Sequence, residues 1–251
     1  MELFKNFNNE ISEKFKQIRL GDKVQQNKNT IIKYKKNKDH YDNEIRIYSK
    51  ANKRKISSCL YILKIDYNLQ CIKIAFVPYN IEKIIEGKYE NLSLFDFNIS
   101  KLIINILCGL NELHRNFITH GDFKLKNIQT FGKDDPSIKI IDFEFADYFE
   151  YLACNEDIKE FEEKKINDLN FAKRIIYQLI WNKKYGEICY KNKRESCINI
   201  YKEIPDLAPL LETKDYNIEK LIQYFVDAKN VFIIQAKLRN QFKKNPFENN
   251  N

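Results

Sequence analysis

The sequence predicts an α+β fold in two lobes, a small antiparallel sheet with one helix followed by a mainly α-helical lobe. Three observations predict it. Strand-type patterns fill residues 1–79, interrupted by one helical pattern. Past Tyr79 the apolar spacing becomes helical. Within the helical part, two short β-type runs each sit beside a cluster of polar, chemistry-bearing side chains.

The elements follow in order. TIIKYKK (Thr30–Lys36) alternates and starts β-branched, so it predicts a strand. DHYDNEIRIYSKAN places Ile45 and Tyr48 on one helical face, with Asp39 as N-cap. CLYILKIDY (Cys59–Tyr67) and QCIKIAFVPY (Gln70–Tyr79) predict two strands that turn near Asn68, the second stopped by Pro78. SKLIINILCGLNELHR (Ser100–Arg115) puts Leu102, Ile103, Ile106, Leu107, Leu110 and Leu113 on one side of a helix. Short strands are expected around Asn127–Phe131 and Ser137–Ile141. DLNFAKRIIYQLIW (Asp168–Trp181) predicts a largely apolar, buried helix, and Asn217–Phe242 one or two more. The expected division is a first lobe at 1–79, a second at 80–246 and a disordered tail at 247–251.

Bulk properties narrow the function. The chain has 251 residues, 43% of them hydrophobic, which suits a globular protein with a sizeable core. No apolar run approaches the roughly 20 residues of a membrane span. The N-terminus MELFKNFNNEISEKFK has no signal-peptide h-region. The six cysteines are scattered, with no C-x-x-C pair and no zinc-like spacing. The expectation is a cytoplasmic protein with reduced thiols, or one in a host cytosol if it comes from a virus or an intracellular bacterium. A net charge of +8 admits an anionic partner. The lysines are spread out, apart from KYKKNK at Lys33–Lys38, which argues against specific nucleic-acid binding.

The chemistry concentrates in two stretches. THGDFKLKNI (Thr119–Ile128) carries Asp122 and Asn127 five positions apart on an expected tight loop. KIIDFEF places Asp142 after an apolar strand. Carboxylate and amide oxygens are hard ligands that suit magnesium and not zinc. Asp122 could also accept a proton from a hydroxyl nucleophile. The plainer reading makes Asp122 and Asn127 a turn-capping pair and His120 a packed core histidine.

LHRNFITHGDFKLKNI with IKIIDFEF resembles the catalytic and magnesium loops of the protein-kinase-like superfamily, H-R-D-x-K-x-x-N and D-F-G. Asp142 follows Asn127 by fifteen positions, in agreement with that pattern. The resemblance runs from about residue 15 to about residue 240, and is specific from Leu110 to Phe145. It implies a protein-kinase-like fold that uses ATP and Mg2+. By the same resemblance, Asp122 would be the base and Lys124 would stabilise the transferring phosphoryl group. Asn127 and Asp142 would hold magnesium. His120 and Phe143 would pack together, and Asp168 would brace the catalytic loop. Lys33 would reach the nucleotide phosphates, in competition with Lys35 and Lys36, and Glu44 would pair with it. Ile31 would roof the adenine. A hinge at Phe76–Tyr79 would meet the adenine edge.

The chain departs from the pattern in three places. Where a glycine-rich loop is expected, only Gly21 stands, twelve positions before Lys33. Gly121 replaces the Arg that would meet a phosphorylated loop. Glu144 replaces the Gly of D-F-G, no A-P-E follows, and 26 positions separate Asp142 from Asp168 across the acidic NEDIKEFEEKK. H-G-D and D-F-E resemble choline and aminoglycoside kinases. Lys124 resembles serine/threonine protein kinases, and the whole resembles compact bacterial, viral and lipopolysaccharide-core kinases. The expected function is a compact atypical serine/threonine protein kinase acting on a hydroxyl-bearing acceptor, preferably a protein. The alternatives are a small-molecule or glycan kinase, and a pseudokinase binding module.

Overall fold

The computed structural model describes residues 23–27, 30–34, 37–150, 152, 154–181 and 205–227. Gly21, Lys35, Lys36 and the tail at 247–251 lie outside the described residues.

Four strands form the first sheet: β1 (Lys23–Asn27), β2 (Thr30–Tyr34), β3 (Ile62–Asp66) and β4 (Cys71–Ala75). They run antiparallel in the order β1-β2-β4-β3, with Lys33 opposite Ile72. Between β2 and β3 lies helix α1 (Lys38–Lys53). Its buried face carries Tyr41, Glu44, Ile45, Tyr48 and Ala51, the 3–4 spacing of one helical stripe. The Tyr41 hydroxyl donates to the Asp66 carbonyl at 2.7 Å and ties α1 to the sheet.

The N-cap of α1 is Asn37, not Asp39. The Asn37 side chain accepts from the Asp39 and His40 N–H groups at 2.8 and 3.2 Å. Asp39 instead lies in the first turn, where its charge favours the positive end of the helix. The two strand readings were also too long. β3 starts at Ile62, while Cys59 makes only an isolated bridge to Ile140. β4 ends at Ala75, and Tyr79–Asn80 forms a separate strand, β5.

After β5 come α2 (Ile81–Ile85) and the long α3 (Ile99–Arg115), capped by the Asn98 side chain. The apolar side of α3 is wholly buried, each side chain worth about 2 kcal/mol of burial. Gly109 lets the helix approach strand β8 (Ile138–Ile140), since a Cβ there would stand 2.8 Å from Ile138 Cδ1. β8 pairs with β7 (Ile128–Thr130), and β7 with β5. A third small sheet joins β6 (Ile118–Thr119) to β9 (Asp147–Tyr148).

Helix α4 spans Asn155–Trp181 without a break. The acidic stretch before Asp168 is therefore the first half of this helix. Its surface is laced by pairs at helical spacing, Glu160–Lys164 at 2.6 Å and Glu162–Lys165 at 2.7 Å. Short α5 (Ala208–Glu212) and α6 (Ile218–Val226) complete the described part, and α6 and α4 pack on α3. The expected helical region to Phe242 passes beyond the described residues after Asp227. Among the described residues no helix is long and apolar enough to cross a membrane.

Candidate active site

Lys33 lies on β2 with its side chain turned inward, 9% exposed. Its Nζ donates to Glu44 Oε1 at 2.6 Å and to Asp142 Oδ1 at 2.9 Å. Strand, helix and loop thus meet at one ammonium. Glu44 is fully buried, so its carboxylate is taken out of water and Lys33 helps to compensate its charge. Asp142 follows β8 and takes φ of +73°, a left-handed backbone that Asp tolerates better than most residues.

The second cluster lies on the loop between β6 and β7. Asn127 is buried, and its Nδ2 donates to the Asp122 carbonyl at 2.9 Å and to Asp122 Oδ2 at 3.3 Å. With Nδ2 turned to Asp122, the acceptor left on the Asn127 amide is Oδ1. Lys124 Nζ contacts Asp122 Oδ2. Burial pulls the Lys124 ammonium down, but the hydrogen bond and charge of Asp122 outweigh it and hold the group above its ordinary value. The two clusters are joined by backbone, the Ile141 N–H donating to the Asn127 carbonyl at 3.0 Å.

Asp168 braces this loop from below. It is fully buried on α4 and accepts from the His120 N–H at 2.6 Å and the Gly121 N–H at 2.9 Å. His114, at the end of α3, lies 3.1 Å from the same carboxylate, with its other ring nitrogen 2.8 Å from the Tyr216 hydroxyl. His120 packs on Phe143 with ring centroids 5.1 Å apart, and Tyr48 of α1 meets Phe143 edge-on at 5.0 Å. A stack of three rings thus runs from α1 to the loop.

The protein kinase domain family matches residues 16–164. The chain belongs to that family. Curated relatives agree with the placement. The chain is 37% identical over 65 residues to calcium-dependent protein kinase 4 of Plasmodium falciparum (isolate 3D7), covering 25% of this chain and 12% of that protein. It is 30% identical over 122 residues to calcium-dependent protein kinase 4 of Plasmodium berghei (strain Anka), covering 43% and 23%. It is 33% identical over 103 residues to a probable cell division protein kinase of Encephalitozoon cuniculi (strain GB-M1), covering 40% and 34%. The aligned parts span 34% or less of each relative's length.

Within this protein kinase domain the remaining sequence-predicted residues are spread more widely. Ile31 shares β2 with Lys33 and is buried in the core. Tyr79 is paired through β5 to Thr130, and its ring packs edge-on against Tyr89 at 5.2 Å. The donor set fits Mg2+: oxygen donors from Asp142 and Asn127, with an ammonium beside them. Among the described residues no three His, Cys, Asp or Glu side chains form an all-protein metal cage.

Sequence reasoning missed Asn43, whose side chain reaches the loop after Asp142. Its acceptors are backbone carbonyls about a hundred positions away, and these leave no mark in a single sequence. It also missed His114, although a histidine closing an apolar helix stripe just before the polar loop was a visible signal.

Proposed function

We propose that the chain is an ATP- and Mg2+-dependent phosphotransferase that moves the γ-phosphoryl group of ATP to a hydroxyl, with a protein serine or threonine as acceptor. The observation that carries this reading is the Lys33 ammonium held by both Glu44 and Asp142, beside a loop that gathers Asp122, Lys124 and Asn127.

Each residue then has a task. Lys33, oriented by Glu44, binds the α- and β-phosphates. Ile31, Tyr79 and Gly21 belong to the nucleotide-binding part. Asn127 and Asp142 would hold Mg2+, which when bound neutralises phosphate charge. Asp122 orients the acceptor hydroxyl and takes its proton as the oxygen bonds to phosphorus. The bond from the γ-phosphorus to the β–γ bridging oxygen breaks, and ADP leaves. Lys124 offers its positive charge to the phosphoryl oxygens in transit.

A second reading, a small-molecule or glycan acceptor, is favoured by one observation. Only six residues, 149–154, separate the end of β9 from the start of α4 at Asn155. Little irregular segment is left there to cradle an extended peptide. Transfer from radiolabelled ATP with Mg2+, wild type beside Asp142→Asn, tests both. Label on a generic basic protein with wild type alone supports the protein kinase. ATP binding without protein label directs the search to small hydroxyl compounds. Neither label nor binding favours a non-catalytic module.

A further inference from the structure

Asn43 stands on α1 immediately before Glu44, partly buried. Its Nδ2 donates to the carbonyls of Ala146 at 2.9 Å and Glu144 at 3.0 Å, with the Phe143 carbonyl at 3.4 Å. A carboxamide has two N–H hydrogens, so the two nearer carbonyls take them and Phe143 shares one. Asn43 Oδ1 accepts from Arg46 Nη2 at 2.9 Å. Acceptors on one side and a donor on the other fix the orientation of the amide.

These carbonyls belong to the loop that begins at Asp142. Helix α1 and that loop meet at several points, among them His40 beside Glu144 at 3.5 Å, Tyr48 against Phe143 and Lys50 with Glu150 at 2.8 Å, and two further links matter here. One link is ionic and runs Glu44–Lys33–Asp142. Another is the neutral Asn43 clasp, on the neighbouring residue of the same helix.

We propose that Asn43 is a positioning residue, clasping α1 to the Asp142 loop so that the Glu44–Lys33–Asp142 link closes. This rests on the phosphotransferase reading above. Only an amide of this length serves. Asn43→Asp turns a donor into a carboxylate facing three carbonyl oxygens, and Asn43→Ala removes the side-chain donor from them, the Phe143 carbonyl keeping the Ala146 N–H at 3.2 Å.

The test measures kcat and KM for ATP in Asn43→Ala and Asn43→Asp, alone and in a Glu44→Gln background. Alongside it runs amide hydrogen exchange of the nucleotide-free proteins. The expected kcat/KM falls on the order of tenfold in Asn43→Ala and further in Asn43→Asp, with Tm moved by less than about 4 °C. In the Glu44→Gln background Asn43→Ala should add little, because both act through one link. Exchange should quicken in residues 38–53 and 142–150 and stay unchanged in α3. Unchanged kcat/KM, additive losses, or exchange quickened equally throughout would overturn the proposal. If the wild type transfers no phosphate, the phosphotransferase reading fails by itself. The exchange pattern then decides whether Asn43 clasps the helix: locally quickened exchange upholds the clasp, and unchanged exchange removes it. Should Asn43→Asp not fold, Asn43→Ala gives the same readouts.

Discussion

The backbone carbonyl of Phe145 rests on Gly121, so closely that a Cβ on Gly121 would stand 2.3 Å from it. Gly121 also has φ of +76°. The missing arginine is thus tied to close packing as well as to charge. Gly121→Ala should destabilise the protein by about 3 kcal/mol, the sum of left-handed strain and overpacking. Gly121→Asn relieves the strain and not the overlap, so it should rescue little of this. Urea denaturation of the two variants checks the difference.

Lys33 and Glu44 should show opposite effects on stability and activity when combined. Lys33→Met leaves the Glu44 carboxylate buried without its ammonium, at a cost of about 3 kcal/mol. Adding Glu44→Leu removes the buried carboxylate and should restore part of the stability. Phosphate transfer should stay lost in both. Thermal melts beside the transfer assay separate the two effects.

Asp142 is a place where the choice of substitution decides what is measured. Its φ of +73° suits Asn, whereas Ala there adds about 1 kcal/mol of backbone strain. Asp142→Asn should fold like wild type and lose turnover by roughly 10²–10³-fold. Asp142→Ala should lose similar turnover and also stability. Equal denaturation midpoints for the two would contradict the strained geometry.

His114 should make stability depend on pH. Burial, the largest influence, holds its imidazole below the ordinary 6.5, although the hydrogen bond and charge of Asp168 oppose this. Glu162 also raises it, Lys165 lowers it, and the Tyr216 hydroxyl meets the other ring nitrogen. The unfolded chain thus takes up a proton at a higher pH than the folded one. The stability from His114 is full above 6.5 and is lost as pH falls through the lower folded value. His114→Gln should flatten the decline between neutral pH and about pH 5, seen as a smaller change in urea midpoint.

Much of the fold was legible because burial wrote it into the apolar spacing. The α3 stripe and the β-branched start of β2 are core positions, and core positions recur at the period of their element. The front half of α4 was not legible in that way. Phe161 is its deeply buried apolar side chain, so its helical signal lies in Glu–Lys spacing and not in an apolar face. Asn37 and Asp39 are both good caps two positions apart, and local sequence does not choose between them. In the site, Asp122, Asn127 and Asp142 stood out through their motif spacing. Asn43 did not, because a side chain that binds distant backbone carbonyls answers to the tertiary fold alone.

The unbroken α4 has a thermodynamic consequence. Twenty-seven residues of helix make a rod about 40 Å long, with a charged half beside the loop and an anchored half in the core. Any acceptor that settles on the charged half meets a surface already ordered. It need not bear the entropy of freezing a loop, and its association should carry the small heat-capacity change of rigid docking rather than the large one of coupled folding.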